Sequence, residues 1–133
     1  MGQSSRHSHF AVLIVEDDAL GRAEAVDLCE EAGFTTHEAR DADEALLQLE
    51  RHPEIRVLFT DIEMPGTMDG LTLAHGMQGR RPPLSIIVTS GRIMVAEKDL
   101  PRNGLFVAKP YPPDAILRAL HDIAAGLGDE AGR

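Results

Sequence analysis

Tryptophan is absent from the 133 residues, tyrosine occurs once and phenylalanine four times, so an interior must be filled by aliphatic side chains. Cysteine occurs once, at Cys29, which excludes an internal disulfide framework and points to a reducing, cytoplasmic setting. Basic residues are outnumbered: thirteen Lys and Arg face 22 Asp and Glu, for a formal charge of −9. That balance argues against a domain that grips a phosphate backbone by itself, so no nucleic acid is expected as a partner. No apolar run approaches the roughly 18 residues of a membrane span, and Met1 to His9 lacks the apolar centre of a signal peptide. Internal repeats and low-complexity stretches are missing too. What is left is one domain, long enough to bury a core.

The elements follow from periodicity. Residues 1–9 are polar, with His7 and His9, and read as a flexible tail. Phe10 to Val15 is a continuous apolar run, the pattern of a buried parallel strand, and it stops in Glu16-Asp17-Asp18. A helix from Ala19 to Ala32 carries Ala25, Leu28, Cys29 and Ala32 on one face, which makes Cys29 a core residue, and Gly33 ends it. Phe34–Glu38 is a short strand. Asp41 with Glu44 three places on resembles a capping box and opens a second helix that His52-Pro53 closes. Arg56–Thr60 is the next strand and ends at Asp61. Gly70, Leu73, Ala74 and Met77 mark a helix ending near Gly79. Leu84–Val88 is a strand closing at Thr89-Ser90-Gly91, and Arg92–Asp99 reads as a short helix broken by Pro101 and Gly104. Leu105–Ala108 is a fifth strand ended by Lys109-Pro110. Pro112-Pro113-Asp114 starts the last helix, with Ile116, Leu120 and Ile123 as its stripe and a frayed end from Gly126. Five strands alternating with five helical segments imply an α/β fold: a mostly parallel sheet covered on both faces.

In such sheets ligands bind beyond the carboxyl ends of the strands. Those ends carry Glu16 and Asp17, Asp61, Thr89 and Lys109. Asp61 alone reads equally as a turn or capping residue, but four chemically matched strand ends are not capping. Converging carboxylates repel unless a cation joins them. An all-oxygen donor set favours a hard ion, Mg²⁺ first. Asp61 is then a candidate nucleophile toward phosphorus, giving an acyl phosphate. Lys109 neutralises one phosphoryl oxygen and the Thr89 hydroxyl bonds another.

Val12–Asp18 (VLIVEDD), Leu58–Gly66 with Met68–Gly70 (LFTDIEMPG and MDG), Ile86–Gly91 (IIVTSG) and Phe106–Tyr111 (FVAKPY) together resemble the receiver domain of two-component response regulators. The likeness runs from about Phe10 to Gly126. It implies a flavodoxin-like, doubly wound five-stranded sheet in the order 2-1-3-4-5, within a domain spanning residues 10–127 and followed by a frayed tail at 128–133. It implies that Asp61 is the phosphoacceptor, served by a histidine kinase or a histidine phosphotransfer protein. Direct Mg²⁺ ligands would be Asp17, Asp61 and the Glu63 backbone carbonyl, with Glu16 acting through water. Thr89 and Phe106 match the family's switch pair, Glu63 and Gly91 the positions that tune hydrolysis, and Lys109-Pro110 its cis peptide. Asp18 falls outside the acid pair and reads as charge at a helix start.

Two departures stand out. The loop after Asp61 is one residue longer than the commonest form. The interval from Thr89 to Lys109 is about two residues short of the chemotaxis pattern, so a short fourth helix and an altered partner face are expected. Few residues follow the last helix, and a free-standing receiver signalling by protein contact is the leading expectation, with phosphorylation-dependent dimerisation open and no enzymatic role beyond its own phosphotransfer and dephosphorylation. The alternatives are a phosphate-independent docking receiver and an aspartyl-phosphate phosphatase of the haloacid dehalogenase kind. The latter places a second Asp two residues after its nucleophile, where this chain has Glu63.

Overall fold

The structure is a computed structural model that describes residues 10–66, 68–80 and 83–131. The expected tail at residues 1–9, with His7 and His9, lies outside the described residues, as do positions 67, 81–82 and 132–133. Five strands, β1 (Ala11–Val15), β2 (Thr35–Ala39), β3 (Ile55–Asp61), β4 (Ser85–Ser90) and β5 (Gly104–Ala108), pair in parallel in the order β2-β1-β3-β4-β5. Four helices, α1 (Ala19–Glu31), α2 (Ala42–Arg51), α3 (Gly70–Gly76) and α4 (Pro113–Ala131), cover its two faces. This is the expected flavodoxin-like order, with one α-helix fewer among the described residues.

The pleat sorts the apolar strands into two cores. From β1, Ala11, Leu13 and Val15 pack with Leu49 of α2 and Leu73 of α3. Phe10, Val12 and Ile14 point the other way, toward Cys29 of α1 and Leu120 of α4. Both faces are buried, which is why these strands read as unbroken hydrophobic runs rather than alternating ones. Each fully buried Leu or Ile contributes about 1.5–3 kcal/mol. Cys29 is wholly buried and its thiol is pushed up to about 12, chiefly by burial, so it is core filling as expected.

The starts of three helices are fixed by acids. Asp18 caps α1 by accepting from the Gly21 amide at 2.8 Å, Asp41 caps α2 from Glu44 at 2.9 Å, and Asp69 caps α3 from Thr72 at 2.8 Å. Glu44 reaches back one place beyond the cap residue, to the Arg40 amide. At the other end of α1, Gly33 adopts φ 95°, the left-handed conformation that closes a helix.

The expected helix over Arg92–Asp99 does not form; a single 3₁₀ turn at Glu97–Asp99 takes its place. The Ser90 hydroxyl accepts from the amides of Arg92 at 3.1 Å and Ile93 at 2.9 Å, giving the backbone an alternative to helical bonding. Ile93 and Val95 are β-branched, and Pro101 forces Leu100 out of the helical region. The last helix departs in the opposite sense: it continues through Gly126 and Gly128 to Ala131 rather than fraying there.

Gly70, the first residue of α3, is set by close approach. A Cβ built there would lie 1.8 Å from the Asp61 carbonyl oxygen. The Gly70 amide meanwhile donates to the Ile62 carbonyl at 3.0 Å. Gly70→Ala must therefore push α3 off the end of β3. It is expected to cost about 1–3 kcal/mol in chemical denaturation, whereas Gly76→Ala, with open space around its Cβ, is expected to be neutral or slightly stabilising. Equal effects at the two positions would contradict this account of the loop.

Candidate functional site

Register determines what meets at the carboxyl edge. Val15 of β1 pairs with Thr60 of β3, so Glu16 emerges beside Asp61, and Asp61 itself pairs with Thr89 of β4. The Lys109 amide donates to the Ser90 carbonyl at 2.9 Å, which extends β5 to the same edge. The Lys109–Pro110 peptide is cis.

Lys109 Nζ donates to Glu16 Oε1 and to Asp61 Oδ2, both at 2.9 Å. Both acids are buried, Asp61 to 5% exposure and Glu16 to 8%. Among the described residues Asp61 Oδ1 accepts only a long bond, 3.3 Å, from the Glu63 amide. Glu16 Oε2 accepts from the Asp18 amide at 3.1 Å. Asp17 stands exposed at the rim, yet a carboxylate oxygen of each of Glu16, Asp17 and Asp61 lies within 4.8 Å of the others. Two of these acids, Glu16 and Asp61, thus share one ammonium group, with the third close by. Burial pushes the Asp61 carboxyl up to about 6, against the hydrogen bond from Lys109, and the charges of Glu16 and Glu63 push the same way as burial. For Lys109, burial alone would lower the ammonium, but its hydrogen bonds to Asp61 and Glu16 prevail and hold it above its usual range.

The donor set fits the hard divalent ion expected here: oxygen atoms only, an excess of negative charge, and a weakly bonded Asp61 oxygen. Thr89 supplies a second sign of an absent group. Its hydroxyl is buried and is the one buried side-chain polar atom with no hydrogen-bond partner among the described residues. An orphan of this kind costs on the order of 1–3 kcal/mol, and it stands on the strand beside Asp61.

Ser90 was not singled out from the sequence. Its hydroxyl donates to Glu63 Oε2 at 2.5 Å while accepting from the two amides of the following loop. The carboxylate of Glu63 is thereby tied across from the β3–α3 loop to the end of β4. The signal was the serine after Thr89 facing a glutamate two places past Asp61, but the bond depends on register that no sequence pattern shows. Gly91 sits next to the same edge, where an added Cβ would touch Lys109 Cβ at 3.7 Å, an ordinary contact. Phe106 is half-buried in the core on the α2–α3 side, with Val95 and Leu100, and pairs in register with Val88 while Thr89 pairs with Val107.

The sequence profile of the response regulator receiver domain matches residues 12–121. A two-component response regulator of Oryza sativa subsp. japonica is 33% identical over 109 residues, covering 79% of this chain and 17% of that protein. The sensor kinase CckA of Brucella abortus is 34% identical over 103 residues, covering 76% and 11%. The chain therefore spans only a fraction of the curated relatives it matches. Among solved structures, a response regulator receiver protein from Pseudomonas putida superposes with a TM-score of 0.76 at 30% identity, covering 86% of this chain and 98% of that one. A chain of a Borrelia burgdorferi CheX–CheY complex with BeF₃ and magnesium superposes at 0.74 with 26% identity, covering 86% and 88%.

Asp61 sets a pH dependence in metal-free buffer. Its carboxyl rises from the usual 3.8 to about 6 on folding, so the folded state binds this proton more tightly than the unfolded one. The stability this contributes is fully present below about pH 4 and is lost as pH rises through about 6. With EDTA present, Asp61→Asn is expected to melt higher than wild type near pH 7.5, with a smaller gain near pH 5. A lower melting temperature for the variant near pH 7.5 would show that the carboxylate is not held at a cost.

Proposed function

The chain belongs to the response regulator receiver family, and on that premise we propose that Asp61 takes a phosphoryl group from a histidine kinase or histidine phosphotransfer protein. The observation that carries this reading is the Asp61 carboxylate, buried at the end of β3, with Lys109 Nζ at 2.9 Å and the unpartnered Thr89 hydroxyl on the neighbouring strand. An Asp61 oxygen attacks phosphorus, the bond from phosphorus to the donor imidazole nitrogen breaks, and the imidazole leaves with that electron pair. Asp17, Asp61 and the Glu63 backbone carbonyl would hold Mg²⁺, with Glu16 acting through water, and the bound ion supplies positive charge to the phosphoryl oxygens. The magnesium of the Borrelia burgdorferi complex supports the assignment. Lys109 gives up a carboxylate partner for a phosphoryl oxygen, and the Thr89 hydroxyl gains the acceptor it lacks.

Phosphorylation adds about −1.5 to −2 charge at this edge. Movement of Thr89 toward it, with Phe106 turning inward behind, is the switch we assign. The signal then leaves by protein contact, in the cytoplasm and without nucleic acid or membrane; among the described residues no helix is long and apolar enough to cross one. The receiver spans residues 10–127 in this reading. A cleft of about 840 Å³ beside the site, lined by Glu24, Asp27, Glu31, Lys109 and Tyr111, gives the donor an approach. Its acids call for a donor surface bearing Lys or Arg. The phosphatase alternative needs a free acid/base two residues after the nucleophile, and here Glu63 is engaged by Ser90.

Incubation with Mg²⁺ and acetyl phosphate is expected to add one phosphoryl group to the intact mass, with none added in EDTA or in Asp61→Asn. An unmodified wild type under every donor would remove the proposal. Glu63→Ala, and bulky replacements of Gly91 that press on Lys109, are expected to change the decay rate of the phosphorylated form several-fold. Ser90→Ala, which frees the Glu63 carboxylate, is expected to act in the same direction as Glu63→Ala. Decay rates equal to wild type in all three would remove hydrolysis control from this loop pair.

A further inference from the structure

We propose that His37, His52 and Glu54 form a second metal site, suited to Zn²⁺, at the opposite end of the sheet from Asp61. His37 lies in the middle of β2, His52 is the residue that ends α2, and Glu54 immediately precedes β3. Glu54 Oε2 stands 3.0 Å from His37 Nε2 and 3.5 Å from His52 Nδ1, and the three ligand atoms all lie within 4.8 Å of one another. Zinc binds imidazole nitrogen and carboxylate oxygen at about 2.0–2.2 Å, which puts tetrahedral ligand atoms roughly 3.3 Å apart. Two of the three edges of such a site are therefore already close to length.

The backbones that carry the ligands are pinned. His37 is paired with Leu13 of β1. The His52 amide donates to the Gln48 carbonyl, and its own carbonyl accepts from Ile55. The Glu54 carbonyl accepts from Ala11. Ordering the ligands thus costs side-chain freedom only. The two rings stack with centroids 3.8 Å apart and planes 20° from parallel, so coordination requires them to swing until both lone pairs face one centre. Side-chain exposures of 19% for His37, 34% for His52 and 45% for Glu54 leave room for that turn.

Two imidazoles and one carboxylate select a borderline ion over Mg²⁺, while the acids around Asp61 do the reverse. The seven residues of β3 put Glu54 about 20 Å along the strand from Asp61, and no residue belongs to both clusters, so each can be read independently. Three protein ligands leave one zinc position for water. A bound ion would join the end of α2 to β2 and to the start of β3.

The test is calorimetric titration of Zn²⁺ into the full chain with Mg²⁺ in excess. It compares wild type, His37→Gln, His52→Gln and a control in which His7 and His9 are both replaced by alanine. One zinc per chain is expected for wild type and for the control, with a melting temperature raised by zinc. Both single variants are expected to bind at least about tenfold more weakly while melting as wild type does without zinc. Unchanged affinity in both single variants, or loss of binding in the His7/His9 control, overturns the site. If one single variant fails to fold, the other carries the comparison. Because Asp61 is untouched, phosphoryl labelling of the same variants separates failure of this site from failure of the phosphoacceptor reading.

Discussion

A single ammonium group between two buried carboxylates holds the carboxyl edge of this sheet together. Lys109 reaches Glu16 and Asp61 at equal distance, and each pair offsets desolvation that neither acid could bear alone. With Asp17 at the rim the cluster carries three negative charges against one positive. That shortfall is the constraint on which the rest of the structure turns. It leaves Asp61 with a raised carboxyl, an oxygen held by one long bond, and a demand for further positive charge. The strand register that brings these groups together follows from three buried central strands, β1, β3 and β4, whose alternating faces fill two apolar cores.

The neighbouring polar groups divide into those already satisfied and one that is not. Ser90 is fully engaged, donating to Glu63 and accepting from the loop behind it. The Thr89 hydroxyl, one residue earlier, is buried with no hydrogen-bond partner among the described residues. A group added to Asp61 would meet an idle hydroxyl on the neighbouring strand and the ammonium already bonded to Asp61, while the Glu63–Ser90 link ties the loops around it. In the segment after Ser90, capture of two amides by the serine side chain leaves no helix to turn Ile93 and Met94 inward, and they stand 48% and 78% exposed. The surface beside β5 is therefore shaped by an irregular segment from which Val95 and Leu100, like Phe106, pack against the core.

Much of this was legible in the sequence because it depends on local pattern. Apolar runs that stop in Glu16, Asp61, Thr89 and Lys109 marked the strand ends, and parallel topology alone then brings those residues to one edge. Asp18, Asp41 and Gly33 announced helix ends through chemistry that acts within four residues. What escaped depends on contacts between distant segments. The bond from Ser90 to Glu63 spans 27 positions, and the His37, His52 and Glu54 cluster needs the β1–β2 and β1–β3 pairings before it exists. Gly70 reads from the sequence as one position of a helix face, whereas its reason is the Asp61 carbonyl pressed against it. The fourth helix was expected from spacing, and a serine side chain competing for its first amides was outside what spacing can show.

The most direct measurement is Mg²⁺ binding by calorimetry to wild type, Asp61→Asn and Asp17→Asn at neutral pH. If the charge shortfall at the strand ends is what the site is built around, wild type takes up one ion per chain. Each substitution, by removing one negative charge, then weakens binding at least about tenfold. Binding of equal strength in Asp61→Asn would mean that the ion sits elsewhere and that the Lys109-bridged acids are a closed structural cluster.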